Sequence, residues 1–269
     1  ARDKGVLRLD PDTGEATVYG GDPSNPGGIK TGQISTICQD TNGTIWVGTY
    51  GNGIYFFDSK ARSFSDYYDE MPLSSPFRNL RVISAFGDSS GILWVGTEGG
   101  GLIKINTSKR VKHYEKDPAN KDGLSSNLIL SIWEDDRSDE LWIGTAGEGL
   151  NRFDRASGKN MVFRNVPGDP GSISDNTINS IFRSSGGVLW IGTRDGVLNE
   201  FDAAAGRFNH YPIPHTGAFT NGDNGVMAMT EDGEGNLWIG SIGGGLCKFD
   251  VEGKNFTQYR NNPSDAASI

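Results

Sequence analysis

The residues best suited to ligand recognition lie where a repeated sequence departs from its own pattern. Arg194 and Asp195 occupy a turn that is glycine-rich elsewhere in the chain, and His215 and Phe219 lie in the long linker that follows. Arginine and aspartate form directional hydrogen bonds with polar groups, and an aromatic ring offers a flat apolar surface. This combination predicts recognition of a small polar ligand, such as a sugar or a peptide.

A second atypical linker contributes Phe77 and Arg78. Most of the other linkers follow an Asp-Pro-Ser pattern, whereas this one is apolar. Phe77 and Phe219 have two interpretations of equal weight. They contact a ligand, or they pack their linkers down or against a neighbouring domain.

Catalytic chemistry finds little support in the sequence. The three histidines, His113, His210 and His215, form no His-x-x-x-His pair, and no Gly-x-Ser-x-Gly motif is present. The glycine triplet at Gly99 precedes no helix, so it does not predict a phosphate site. Aspartate and glutamate are numerous, but no pair stands out as a glycosidase pair. We therefore expect no catalytic residue, no metal and no cofactor.

The candidate residues are positioned by a short phrase of the form Leu-Trp-Ile-Gly-Thr, which occurs five times at intervals of 48 residues. Such a fixed period predicts a repeat architecture. The phrase has apolar residues at adjacent positions, which predicts a strand covered on both faces. Its tryptophans are structural candidates and should be buried on equivalent strands: Trp46, Trp94, Trp142, Trp190 and Trp238.

Each period contains four short strands separated by polar or glycine-bearing turns, here called a, b, c and d, with the tryptophan on strand b. Turns at this spacing favour antiparallel meanders. Radial stacking covers both faces of such sheets, so the sequence predicts an all-β fold, a β-propeller of four-stranded antiparallel blades. The b–c turns and d–a linkers then share one end, which brings the atypical residues together.

The repeats predict one propeller over residues 1–269, with five full blades and a half blade. Residues 1–32 supply only the outer strands c and d, and residues 33–269 supply five blades and a trailing linker. This count suggests a piece of a longer protein whose ring is incomplete or is closed by another chain. Each c strand ends in Asp or Asn, which predicts Asx turns better than a ring of metal ligands.

The formal net charge is -9 and the pI is about 4.9, which argues against nucleic acid and anionic membrane surfaces as partners. No apolar run approaches membrane-spanning length, so this chain itself should make no membrane contact. The first residues are polar and show no signal peptide. The remaining candidate partners are a small polar ligand and an adjacent propeller or dimer mate.

The repeat resembles the two-component regulator propeller family. Asn176 to Asp202 follows the family pattern of Asn-x-Ile-x-x-Ile leading to Gly-x-Leu-Trp-Ile-Gly-Thr, with Ser184 at an Asp position. Gln33 to Asp58 and Asn224 to Asp250 do so as well. The resemblance implies the periplasmic or extracellular sensor region of a bacterial hybrid histidine kinase.

Some members of that family sense oligosaccharides, so the resemblance implies a non-catalytic sensor propeller that recognises an oligosaccharide or another small polar ligand. Any kinase activity would reside in domains outside this chain. Two alternatives stay open: a structural propeller that docks a protein partner, and a propeller-fold polysaccharide lyase or hydrolase.

Overall fold

The computed structural model describes most of the chain, and every regular element in the described residues is a β-strand. The described residues are 5–20, 28–30, 33–67, 80–106, 110–135, 138–214, 225–262, 264–265 and 268. They contain no helix long and apolar enough to span a membrane. The chain divides into two compact units, Ala1–Lys116 with Asn127–Ile129, and Asp117–Ser126 with Leu130–Ile269.

Unit 1 contains a two-stranded sheet and two four-stranded antiparallel sheets, which correspond to the half blade and to blades one and two. The strands are β1 (Val6–Leu9), β2 (Ala16–Tyr19), β3 (Ile34–Gln39), β4 (Ile45–Thr49), β5 (Ile54–Asp58), β6 (Ser63–Asp66), β7 (Val82–Gly87), β8 (Leu93–Thr97), β9 (Leu102–Ile105) and β10 (Val111–Tyr114). In both full blades the strands pair in chain order, as the meander predicts.

Unit 2 contains three four-stranded antiparallel sheets, which correspond to blades three, four and five. The strands are β11 (Ile129–Asp135), β12 (Glu140–Thr145), β13 (Leu150–Asp154), β14 (Asn160–Phe163), β15 (Ile178–Arg183), β16 (Leu189–Thr193), β17 (Val197–Asp202), β18 (Arg207–Pro212), β19 (Val226–Glu231), β20 (Leu237–Ser241), β21 (Gly245–Asp250) and β22 (Asn255–Tyr259). The predicted blade sheets are confirmed, whereas a single propeller domain over residues 1–269 stays a prediction.

The repeated tryptophans all lie on b strands, but they are not equally buried. Trp94, Trp142 and Trp190 are buried, with at most 3% of each residue exposed. Trp46 and Trp238 are only half-buried, so the predicted burial of all five tryptophans is complete for three of them. Trp142 packs with the apolar residues of blade four, and Trp190 with those of blade five. No strand follows β22 in the described residues.

The glycine of the phrase is required by close contact with the following blade. A Cβ atom on Gly144 would lie 2.7 Å from the carbonyl oxygen of Ile178, on strand a of blade four. A Cβ on Gly96 would likewise lie 2.6 Å from Cγ2 of Ile129. At Gly240, in blade five, an added Cβ meets nothing within 4 Å. The glycine therefore allows the next strand a to approach the backbone closely.

A carboxylate at the a–b turn holds the tryptophan in three of the blades. The indole Nε1 donates to an aspartate Oδ2 six positions earlier: Trp46 to Asp40 (2.9 Å), Trp94 to Asp88 (2.8 Å) and Trp238 to Asp232 (3.0 Å). Blade four has Ser184 at this position, and the buried Nε1 of Trp190 has no partner among the described residues.

The acidic residues that end the c strands form Asx turns, as predicted. In each case a side-chain oxygen accepts backbone N–H groups of the c–d turn: Asp10, Asp58, Asn106, Asp154, Asp202 and Asp250. These hydrogen bonds hold the pKa of Asp10, Asp58, Asp154 and Asp250 below its usual range, because they favour the ionised carboxylate. The recurring acid at this position therefore has a structural role.

Candidate functional site

The b–c turns and the d–a linkers of unit 2 are joined by backbone hydrogen bonds. The N–H of Arg194 donates to the carbonyl of Thr177 at 3.1 Å, and the N–H of Ile242 donates to Gly225 at 3.0 Å. In blade three the N–H of Gly149 donates to Asn176 at 2.8 Å. Turns and linkers therefore form one continuous surface, here called the rim of unit 2, and this shared end was predicted.

Arg194 is an exposed cation of this rim. It is the first residue of the tight blade-four turn, in which the N–H of Gly196 donates to the carbonyl of Thr193. Its backbone is fixed by the hydrogen bond to Thr177, while its side chain is exposed and has no hydrogen-bond or ion-pair partner among the described residues. A fixed backbone with an uncommitted guanidinium is well suited to bind an oxygen-bearing ligand.

Asp195 is partly committed to the structure of its own turn. Its Oδ1 accepts the hydroxyl of Thr193 at 2.6 Å and that of Ser174 at 3.3 Å. Its Oδ2 has no partner in the described part of the chain, and the residue is exposed. The carboxylate therefore ties the turn to the linker through one oxygen and offers the other to solvent.

The linkers that precede blades three and four are each held by a buried asparagine on a c strand. Asn199 Oδ1 accepts the N–H of Ser174 at 3.0 Å, and its Nδ2 donates to the Ser174 hydroxyl at 3.0 Å. Asn151 makes the same pair of bonds with Ser125, at 3.1 and 2.8 Å. Sequence reasoning missed this contact. Its signal was an asparagine at one c-strand position in two consecutive repeats, where other blades have apolar residues or tyrosine.

Other polar residues of the rim are already engaged. Arg164, on the linker after blade three, pairs with Glu148 of the b–c turn at 3.3 Å. His210 Nε2 lies 2.7 Å from the carbonyl oxygen of Ser172. In unit 1, His113 Nε2 contacts the carbonyl of Gly100. Each of these histidines contacts a backbone oxygen.

Four of the six predicted site residues lie outside the described residues: Phe77, Arg78, His215 and Phe219. Arg194 and Asp195 are adjacent on one turn, which their sequence positions already required. The described residues contain no group of three or more His, Cys, Asp or Glu side chains placed to hold a metal ion.

Comparisons with known proteins agree with this architecture. The sequence model of the two-component regulator propeller family matches residues 28–51, 172–195 and 222–243. No curated protein matches the sequence. Among solved structures, the extracellular domain of a hybrid two-component system of B. thetaiotaomicron is 18% identical with a TM-score of 0.55, and the match covers 88% of this chain and 34% of that one. A second such domain from the same organism is 20% identical with a TM-score of 0.50, over 98% and 44% of the two chains.

An enzyme shares the same fold. Virginiamycin B lyase from Staphylococcus aureus is 18% identical with a TM-score of 0.64, over 86% of this chain and 71% of that one. Identities this low show the fold alone, and this chain spans less than half of the two-component domains. Three of the repeats therefore match the model of the two-component regulator propeller, and the five four-stranded sheets have the structure of β-propeller blades.

Proposed function

We propose that this chain is a ligand-sensing propeller of a bacterial two-component signalling protein, located on the periplasmic or extracellular side of the membrane. Its ligand is a small polar molecule, with oligosaccharides as the first class to test. The propeller binds this ligand without chemical change. Any histidine kinase activity belongs to domains outside this chain.

The exposed, unpartnered guanidinium of Arg194 carries this proposal. Arg164 on the same rim is paired with Glu148, whereas Arg194 has no such partner in the described residues. Oxygen-rich ligands such as sugars can accept hydrogen bonds from the guanidinium. The free Oδ2 of Asp195 can accept a hydroxyl beside it. The four predicted residues outside the described part, Phe77, Arg78, His215 and Phe219, would complete the site.

The relatives support the location and the class of function. Two structural neighbours are extracellular domains of two-component systems, and the family model comes from regulators of this kind. On the described rim, His210 contacts a backbone carbonyl and Asp195 is bonded to two hydroxyls, so neither is arranged with the other as an acid–base pair. This arrangement favours binding over catalysis.

Calorimetry against a panel of plant and microbial glycans tests the proposal. We expect saturable binding of at least one glycan, and a loss of about 1.5–3 kcal/mol of binding free energy in Arg194→Ala, the range for a hydrogen bond to a charged group. Arg164→Ala is the matched control, because that arginine lies on the same rim but is already paired. It should bind like the wild type.

Two outcomes contradict parts of the proposal. Binding that is unchanged in Arg194→Ala places the site away from this turn. New reducing ends or unsaturated products in the bound glycan contradict the non-catalytic role and favour a lyase or hydrolase. A chain that binds no glycan but captures a protein partner through this rim would support the structural alternative.

A further inference from the structure

A second concave site lies in unit 2, between blades three and four, at the end opposite the rim. Its volume is about 430 Å³, within the range of small-molecule sites. It is lined by Gly187 of the a–b turn and by Gly206 of the c–d turn of blade four. The cleft is therefore separate from Arg194 and the surrounding turns.

The walls of this cleft are largely aromatic. Trp142 and Phe163 are stacked with ring centroids 5.7 Å apart, and Phe201 meets Trp142 edge-on at 5.1 Å. Met161 also lines the cleft and is 56% exposed. These walls provide flat apolar surface for a planar ring system, and the methionine can adapt to its shape.

One wall carries a cation with unused donors. Arg152 Nε and Nη2 both bond to Oε2 of Glu140, at 2.8 and 2.7 Å. Its Nη1 has no partner among the described residues, and its guanidinium carbon lies 5.9 Å from the centre of the Trp142 ring. Arg183, which also lines the cleft, is paired with Asp135 at 2.6 Å.

The carboxylates beside these two arginines are already engaged. Glu140 is bonded to Arg152 and Asp135 to Arg183, so the spare hydrogen-bonding capacity of this wall is the Nη1 donor of Arg152.

We infer that this cleft binds aromatic carboxylates. A planar ring packs against Phe163, Phe201 and Met161, and the carboxylate accepts hydrogen bonds from Arg152 Nη1. Sugars fit less well, because their many hydroxyl groups need free acceptors as well as donors. A neutral aromatic molecule would leave the donors unpaired. This inference does not depend on glycan binding at the rim.

The corresponding cleft in unit 1 provides an internal comparison. It lies between blades one and two, has a volume of about 230 Å³ and is lined by Trp46 and Phe56. Phe56 stands 96 residues before Arg152, at the same place in the repeat. Trp46 Nε1 already donates to Asp40. This cleft therefore lacks the arginine that distinguishes the cleft of unit 2.

Fluorescence titration or calorimetry with 2-naphthoate tests the inference, with 2-naphthalenemethanol as the neutral probe. We expect saturable 2-naphthoate binding that is about tenfold weaker, or more, in Arg152→Gln, from the loss of a charge-assisted hydrogen bond. Lys104→Gln is the matched control. Lys104 stands at the same repeat position in blade two and lies over Trp94 at 5.1 Å.

Met161→Glu gives a second test that does not disturb the Glu140 pair. Met161 is exposed, so the variant should fold, and a carboxylate in the cleft should repel 2-naphthoate while Met161→Gln does not. Arg194→Ala should leave 2-naphthoate binding unchanged, which separates this site from the rim. The inference is overturned if no saturable binding appears at millimolar concentrations. It is also overturned if the neutral probe binds equally well, or if neither Arg152→Gln nor Met161→Glu weakens binding.

Discussion

Blades three and five contain the same repeated phrase but use it differently. In blade three the tryptophan is buried among residues of blade four, and Gly144 receives the backbone of strand a of that blade. In blade five, Trp238 is half-buried and Gly240 has nothing within 4 Å of its missing Cβ. The repeated phrase thus forms an interface between blades. Its contribution to the stability of the fold depends on the presence of a following blade.

In blade five, residues of the same blade contact the tryptophan. Tyr259 stacks on Trp238 with ring centroids 5.4 Å apart, and Lys248 Nζ lies 5.7 Å from the centre of the indole ring. Lys248 also pairs with Asp232 at 3.1 Å. Phe163 and Arg152 make the same kinds of contact with Trp142 in blade three, so the two blades differ in the additional apolar packing of Trp142 against blade four.

The largest expected effect is the loss of an interior tryptophan. Trp142→Ala should lower the free energy of unfolding by about 3–5 kcal/mol, because it removes a large ring and leaves a cavity. Trp238→Ala should cost less, about 1–3 kcal/mol, because less apolar surface is buried there. Denaturant unfolding of the two variants measures both losses of stability. Equal losses would contradict the conclusion that Trp142 contributes more to stability than Trp238.

The glycine pair gives a smaller and sharper test. Gly144→Ala should destabilise the protein by about 1–3 kcal/mol, since the added methyl group overpacks the contact with Ile178. Gly240→Ala adds the same methyl group where space is open, and it should stay within about 0.5 kcal/mol of the wild type. Thermal unfolding of the two variants decides the matter. A large cost at Gly240 would mean that another surface covers blade five.

The smallest effect is a pH dependence confined to blade five. Burial alone would raise the pKa of Asp232, but hydrogen bonds from the Asn236 N–H, the Trp238 indole and Lys248 hold it well below its usual range. A carboxyl with a depressed pKa stabilises the fold above its unfolded pKa, and this contribution is lost as pH falls through the folded pKa.

The wild type should therefore be more stable than Asp232→Asn at neutral pH, and the difference should narrow below about pH 4. Unfolding midpoints at several pH values measure this. Ser184→Asn changes the equivalent position of blade four. Neither the serine nor the asparagine side chain titrates, so the difference in stability between this variant and the wild type should not vary with pH. If the stability difference between Asp232→Asn and the wild type stays constant down to acid pH, the ionised Asp232 carboxylate does not stabilise the fold through these hydrogen bonds.

The fold was predictable because each blade repeats the same local signals. Adjacent apolar residues, turn glycines and the Asx-forming acids of the c strands recur at a fixed period, so local sequence and global fold agree. The unequal burial of Trp46 and Trp238 was not predictable from the phrase, because it depends on what packs against the blade.

The site was predictable only in part. The departure from the glycine-rich turn predicted Arg194, which is exposed, and its role in ligand binding stays a prediction. The cleft with Arg152 was not predicted, because irregular turns and linkers indicate only the rim. Arg152 lies in the middle of a c strand. Its signal was the variability of one strand position, which reads Phe56, Lys104, Arg152, Glu200 and Lys248 across the blades.

The close contact at the phrase glycine has a consequence for how such chains can evolve. The residue that approaches this glycine from the next strand a is β-branched and aliphatic in every case: Val82, Ile129, Ile178 and Val226. Each junction between blades is therefore chemically interchangeable with the others. Duplication or deletion of a gene segment that encodes one whole repeat of 48 residues would recreate an acceptable junction, because a β-branched aliphatic residue would again meet the glycine.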